Sequence, residues 1–189
     1  MMNNIFKDHP GGNIKVLSID GSRIMVEQEL RDTGLWWFYW NFRIENIRAG
    51  SKIKIEFKNG EVVGPWGPAI SYDGTNWSWL GEESLIDRSS FMFMPATDLK
   101  SVYFAFSLPY QYHHFLSFCL KYAENFNITL ETLTLSEQGR EIPLLYIGKK
   151  NARKHVIFTC RHHACESTAS YLLEGVMEHL LSDKCSLLN

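Results

Sequence analysis

Neither sign of charge predominates: 19 Lys and Arg stand against 21 Asp and Glu, a net charge of −2, and the basic residues form no cluster. A nucleic-acid partner needs Lys and Arg gathered against phosphates, so none is expected. Long apolar runs are missing too. No stretch approaches the roughly 20 residues that cross a bilayer, and the opening residues hold no apolar signal core. Neither membrane contact nor secretion is expected. Cysteine is scarce: Cys119, Cys160, Cys165 and Cys185 are the 4 in 189 residues, and they follow no framework spacing. That excludes a disulfide scaffold and fits a reduced, cytoplasmic protein. Internal repeats and low-complexity stretches are also lacking. What is present, 45% apolar and 21% charged residues, is an ordinary globular complement. The length suffices for one large domain or two small ones, with a real core in either case.

Residues 1–10 are polar and expected to fray. From about Gly12 to Leu108 the pattern is β throughout. Asn13–Ile19 and Arg23–Leu30 flank Asp20-Gly21, a type I′ hairpin signal. Trp36–Ile44 reads as a long aromatic strand. In Lys52–Phe57 the residues Ile53, Ile55 and Phe57 alternate with charged ones. Asn59-Gly60 marks another tight hairpin, and turn residues recur at Pro65, Gly67, Pro68 and Asp73-Gly74. Phe91 and Phe93 alternate before a loop at 95–98. Val102, Phe104, Phe106 and Leu108 share one face of the last strand. Short strands with turns about every ten residues predict an all-β antiparallel sandwich over residues 1–109.

The grammar changes at Pro109. Phe115, Phe118, Cys119 and Tyr122 recur at helical spacing, so 112–122 reads as a helix. Ile128–Leu135 and Ile142–Ile147 read as strands about a turn at Gly139, and 148–153 as a loop. Next, His155–Cys160 is an apolar, β-branched run, the pattern of a strand covered on both faces. Arg161, His162, His163, Cys165 and Glu166 crowd into a loop after it. Ser167 and Thr168 supply helix-capping hydroxyls. Ala169, Leu172, Leu173, Val176, Met177, Leu180 and Leu181 then form one apolar stripe. Alternating helices and strands predict a second, α/β domain over 110–189. Three strands and two helices give that sheet little cover, so it reads as the start of a larger domain with a mixed sheet.

Loops leaving the carboxyl ends of strands are where α/β sheets place their chemistry. A His and a Glu three residues apart in such a loop, His163 and Glu166, have the donor chemistry to hold zinc. Composition alone supplies about half a chance match to His-x-x-Glu, so the placement carries more than the tetrapeptide. The competing reading makes His162 and His163 backbone-bonded loop residues, with Glu166 favoured by the positive helix N-terminus.

Cys160–Leu181 resembles the zinc-ligand segment of the zinc metallocarboxypeptidases, the carboxypeptidase A superfamily. The order of β-sandwich before α/β part is similar to the cytosolic carboxypeptidase subgroup and its bacterial relatives. Val102–Tyr112 (VYFAFSLPYQY) resembles the segment joining the two parts there, and Trp77–Gly81 (WSWLG) fits that sandwich. The resemblance covers nearly the whole chain. It implies that His163 and Glu166 are two of three ligands to one zinc ion. Ala164-Cys165 stands between them where the subgroup usually has Pro-Gly. The family's third ligand, a His, its carboxylate-binding arginines and its catalytic Glu would all fall past Asn189. No catalytic residue is therefore assigned within the chain. The resemblance implies a peptidase acting on peptide or protein C-termini, with 110–189 the first portion of the catalytic domain. It also implies that this length alone is inactive and binds zinc poorly. Self-association through the incomplete domain remains open as an oligomerisation route.

Other histidines do not complete the site. A continuous helix carries His179 roughly 20 Å from Glu166, and strand rise leaves His155 about 17 Å from the loop. His113 and His114 read as a surface pair. Cys160 and Cys165 lack the paired Cys-x-x-Cys spacing of structural zinc. A different class of function stays open: Trp36, Trp37, Trp40, Trp66, Trp77 and Trp79 could make the sandwich a peptide- or carbohydrate-binding module. Against it, alternation buries one face of each strand, and most of these rings then belong to the core. A third reading has the sandwich, with Tyr110 and Tyr112, shaping access to a catalytic cleft.

Overall fold

The computed structural model describes residues 4–31, 34 and 37–182. They fall into two compact units: residues up to Pro109 with His163–Thr168, and Tyr110–His162 with the residues from Ala169 onward.

The first unit is a sandwich of two five-stranded sheets. One holds β1 (Asn4–Phe6), β4 (Asn41–Ile47), β10 (Leu99–Ala105), β6 (Ala69–Ser71) and β7 (Ser78–Trp79), in that order across the sheet. The other holds β2 (Lys15–Asp20), β3 (Arg23–Glu27), β5 (Ile53–Phe57), β9 (Ser90–Phe93) and β8 (Leu85–Asp87). Alternation sends Ile53, Ile55 and Phe57 of β5 inward, where they meet Ile24 and Val26, Phe91 and Phe93, and Phe42, Ile44 and Phe104 of the facing sheet. Trp40 fills the centre. Its ring lies 4.7 Å from Phe57 and 6.1 Å from Phe91, and its Nε1–H donates to the Val62 carbonyl at 2.7 Å. The core is thus a sheet-on-sheet packing of alternate side chains.

Several sequence expectations are corrected. Asn4–Phe6 is not frayed but pairs antiparallel with β4, Ile5 opposite Ile44. The sandwich is not wholly antiparallel, because β3 and β5 run parallel. Their connection passes through β4 in the other sheet, a crossover no local pattern announces. The first hairpin turns one residue later than expected, with Asp20 opposite Arg23 and the positive φ, 56°, on Gly21. At Asn59-Gly60 the chain turns without making a hairpin, since the flanking strands lie in different sheets. The aromatic strand begins at Asn41 rather than in the preceding run, and Trp36 lies outside the described residues. The last strand stops at Ala105. Phe106 still packs on the core, but Leu108 lies beyond the strand.

In the second unit, α1 (Tyr112–Lys121) starts with a reciprocal cap, the Gln111 N–H donating to His114 Nδ1 at 2.9 Å. β11 (Ile128–Leu135) and β12 (Glu141–Ile147) form a two-stranded antiparallel hairpin with a bulge between Thr132 and Thr134. α2 (Ser167–Leu180) closes the order. Tyr110 packs edge-on to Tyr171 with ring centroids 5.0 Å apart, and Lys121 pairs with Glu178. The expected strand at 155–160 is absent: Val156, Ile157 and Phe158 are 78%, 85% and 56% exposed, and no ladder includes them. An extended run becomes a strand only when a neighbour takes its N–H and C=O groups, and none of the described strands does. The α2 stripe is mostly half-buried, with Leu172 exposed. Among the described residues, no helix is long and apolar enough to cross a membrane.

Candidate functional site

The site is built on the loop before α2. Arg161 leads into it at φ 55°, left-handed backbone for a non-glycine residue. The chain then closes a tight turn on itself. The Glu166 N–H donates to the His163 carbonyl at 3.1 Å, and the His163 N–H donates to Glu166 Oε2, also at 3.1 Å. A backbone and a side-chain bond across the same four residues fix the direction of the carboxylate. One carboxylate oxygen is committed to its own turn. The other, Oε1, lies 3.9 Å from His163 Nε2.

Two atoms bound to one tetrahedral zinc sit about 3.3–3.5 Å apart, given bonds of about 2.0–2.2 Å. The imidazole and carboxylate are therefore a small rotation from sharing a cation. Both side chains are open to solvent, His163 at 74% and Glu166 at 43% exposure. Without a metal, the pair is an ion pair only when the imidazole is protonated. As a donor set it fits part of a zinc site and no more. Among the described residues, no group of three or more His, Cys, Asp or Glu side chains is gathered to hold a metal.

The other candidates lie elsewhere. His162 turns back to the Thr159 hydroxyl at 3.2 Å, and His155 is exposed. His113 and His114 stack on each other with ring centroids 4.0 Å apart. His114 is not a surface residue: it is half-buried between Tyr110 and Tyr171. Burial, and then the neighbouring His113, push its pKa below the ordinary imidazole value. Burial likewise raises Tyr110 and Tyr171, with Glu174 adding to both. Cys160 approaches the Ser170 hydroxyl at 3.8 Å. Cys185 lies outside the described residues.

Of the sandwich tryptophans, Trp40 is fully buried, Trp37 and Trp77 are half-buried, and Trp66 and Trp79 are exposed at 63% and 38%. Among the described tryptophans, the expectation that most are core rings is met in full only by Trp40.

Two serines that the sequence did not mark as part of the site shape the loop. The Ser167 hydroxyl, expected to cap α2, instead donates to the Leu108 carbonyl at 2.7 Å. Ser107 Oγ lies 2.8 Å from Ser167 Oγ and 3.2 Å from the Cys165 carbonyl. Nothing in spacing or composition marks Ser107. Its partners lie in the loop roughly sixty residues away, so only the fold could reveal them.

No protein-family model matches the sequence. An uncharacterized protein of Zymomonas mobilis is 22% identical over 182 residues, which are 94% of this chain and 47% of that protein. A solved Shewanella denitrificans protein, provisionally named carboxypeptidase A, superposes with a TM-score of 0.80 at 23% identity, over 96% of this chain and 50% of that one. The metallo-carboxypeptidase of Pseudomonas aeruginosa, solved in complex with (2-guanidinoethylmercapto)succinic acid, gives 0.75 at 22% identity, over 95% and 49%. At these identities the likeness establishes the fold, which is carboxypeptidase-like. The chain spans about half the length of the proteins it matches.

Proposed function

We propose that this chain is the metal-loop half of a zinc-dependent metallocarboxypeptidase that removes residues from peptide or protein C-termini. The observation that carries the reading is the His163–Glu166 turn, in which Oε2 is tied to the His163 N–H and Oε1 is left 3.9 Å from Nε2. The fold shared with the Pseudomonas aeruginosa enzyme and the Shewanella denitrificans protein supports it.

In this reading His163 Nε2 and Glu166 Oε1 are two ligands of a three-ligand site, and residues 110–189 are the first portion of the catalytic domain. Zinc bound there supplies Lewis acidity toward a scissile carbonyl and acidifies a water. The chain's own contribution is orientation. A carboxylate already hydrogen-bonded at one oxygen meets a cation with less rotamer freedom to lose, and ligands held this way bind metal more tightly. His163 must be neutral at the nitrogen that binds, so metal and proton compete for the same lone pair.

The test fuses residues 1–182 to the carboxyl-terminal half of the Pseudomonas aeruginosa enzyme and loads the fusion with zinc. Release of C-terminal amino acids from peptides is expected, with loss of at least a hundredfold in His163→Ala and in Glu166→Ala. His162→Ala is expected to leave the rate within about twofold. Full activity in either of the first two variants sinks the assignment. The unfused 189-residue chain is expected to release nothing.

A further inference from the structure

The loop carrying His163 and Glu166 gets little help from the segment before it. Residues 155–159 are exposed and belong to no ladder. Beside the Arg161 guanidinium, which donates to the Tyr110 carbonyl, a pair of hydroxyls helps to hold the loop. Ser167 is 3% exposed, and its proton goes to the Leu108 carbonyl at 2.7 Å. A hydroxyl has one proton, so Ser167 can only accept from Ser107, at 2.8 Å. The Ser107 proton is then shared between Ser167 Oγ and the Cys165 carbonyl, at 3.2 Å. Cys165 and Ser167 flank Glu166, so the bonds hold the carbonyl of the residue before the proposed ligand and the side chain of the residue after it.

Ser107 and Leu108 lie two and three residues past the end of β10, whose Phe104 and Ala105 are buried in the sandwich core. The anchor therefore ties the loop to a rigid element, while the turn of residues 163–166 orients the carboxylate locally. We propose that Ser107 and Ser167 are positioning residues for the Glu166 carboxylate. They hold the residues on both sides of Glu166, so that His163 Nε2 and Glu166 Oε1 stay within reach of one cation. This rests on the metal reading above, but the anchor itself can be measured without metal.

The experiment uses the 189-residue chain with Ser107→Ala, Ser167→Ala and, as the conservative replacement at the less buried position, Ser107→Thr. The first readout needs no zinc: hydrogen exchange of the His163 and Glu166 amides, the two donors of the turn. The second is a titration with Zn²⁺ alone of the fusion of residues 1–182 described above, carrying the same substitutions, followed at the His163 imidazole by NMR, with His163→Ala as the blank. Each Ala variant is expected to speed exchange of these two amides about tenfold or more. Protected amides of β4 and β10 should stay slow, and Zn²⁺ should bind roughly tenfold more weakly, the usual cost of removing an outer-shell partner. Ser107→Thr should restore both.

Unchanged exchange in both Ala variants overturns the anchor whatever zinc does. Faster exchange with unaltered Zn²⁺ affinity overturns the positioning role. An unresponsive His163 in the parent fusion, where the third ligand is supplied, overturns the metal reading itself, and with it any role toward zinc. The exchange data would still tell that failure from a failed anchor. If Ser167→Ala unfolds, Ser107→Ala decides alone, because its side chain is only half-buried and its removal leaves the Ser167–Leu108 bond in place.

Discussion

Trp40 is the residue whose loss the sandwich would feel most. It is fully buried, touches Phe42, Phe57 and Phe91 with its ring, and spends its only donor on the Val62 carbonyl. Trp40→Phe removes that donor and part of the ring at once. An unpaired buried carbonyl costs about 1–3 kcal/mol, and lost volume adds to it. A destabilisation of roughly 2–4 kcal/mol is therefore expected in denaturant unfolding followed by circular dichroism. Trp66→Phe, at an exposed ring, is expected to stay within about 0.5 kcal/mol of the parent. Equal effects of the two would mean the rings are not partitioned as described. The same residue scale sets how much of the site was legible. His163 and Glu166 lie within four consecutive positions, so a local pattern could name them. Ser107 acts across the fold on Ser167 and Cys165, and a lone serine after a strand carries no mark of it. Ser167 was visible for the wrong reason: a hydroxyl at a helix start reads as a cap, but the nearby Leu108 carbonyl takes its proton.

Elements whose apolar residues repeat inside their own span were legible. β5, β9 and α1 appear where alternation or helical spacing puts them, because the signal and the structure share a period. Elements that depend on a neighbour were not. The parallel pairing of β3 with β5 and the missing strand at 155–160 are both decided by which backbone groups find partners. At the start of α1 one contact makes a helix pH-sensitive. His114 Nδ1 accepts the Gln111 N–H, which requires its lone pair and hence no proton there. Burial, and next His113, hold its pKa below the ordinary 6.5, while Tyr110, Tyr171 and Glu174 are the other titratable groups around it. A depressed histidine means the unfolded chain binds the proton first as pH falls. Stability of this unit is then full above about 6.5 and declines below it, until the folded form is protonated too. Hydrogen exchange of α1 amides is expected to speed up between pH 7 and 5, beyond the intrinsic chemical trend. In His114→Gln that excess should shrink. An identical pH dependence in parent and variant would rule out His114 as its source.

At the scale of the whole molecule the two units are unequal in what they bury. Among the described residues, the buried apolar side chains belong to the sandwich except for Tyr110 and Phe118. The second unit instead leaves Leu130, Leu133, Leu135, Val156, Ile157 and Phe158 between 48% and 85% exposed. Burial of apolar area is the main favourable term in folding, about 25 cal/mol per Å². The sandwich should therefore unfold cooperatively, and the second unit should open at far lower cost. Two consequences can be read on one sample. Amides of β4, β5 and β10 are expected to exchange at least a thousandfold more slowly than those of β11, β12 and α2. A dye that fluoresces on exposed apolar surface should brighten with the native chain, and Ile157→Lys with Phe158→Lys should reduce that signal without altering exchange in the sandwich. Uniform protection across both units would mean they fold as one. A dye response unmoved by the two lysines would place the exposed apolar surface elsewhere than at 156–158.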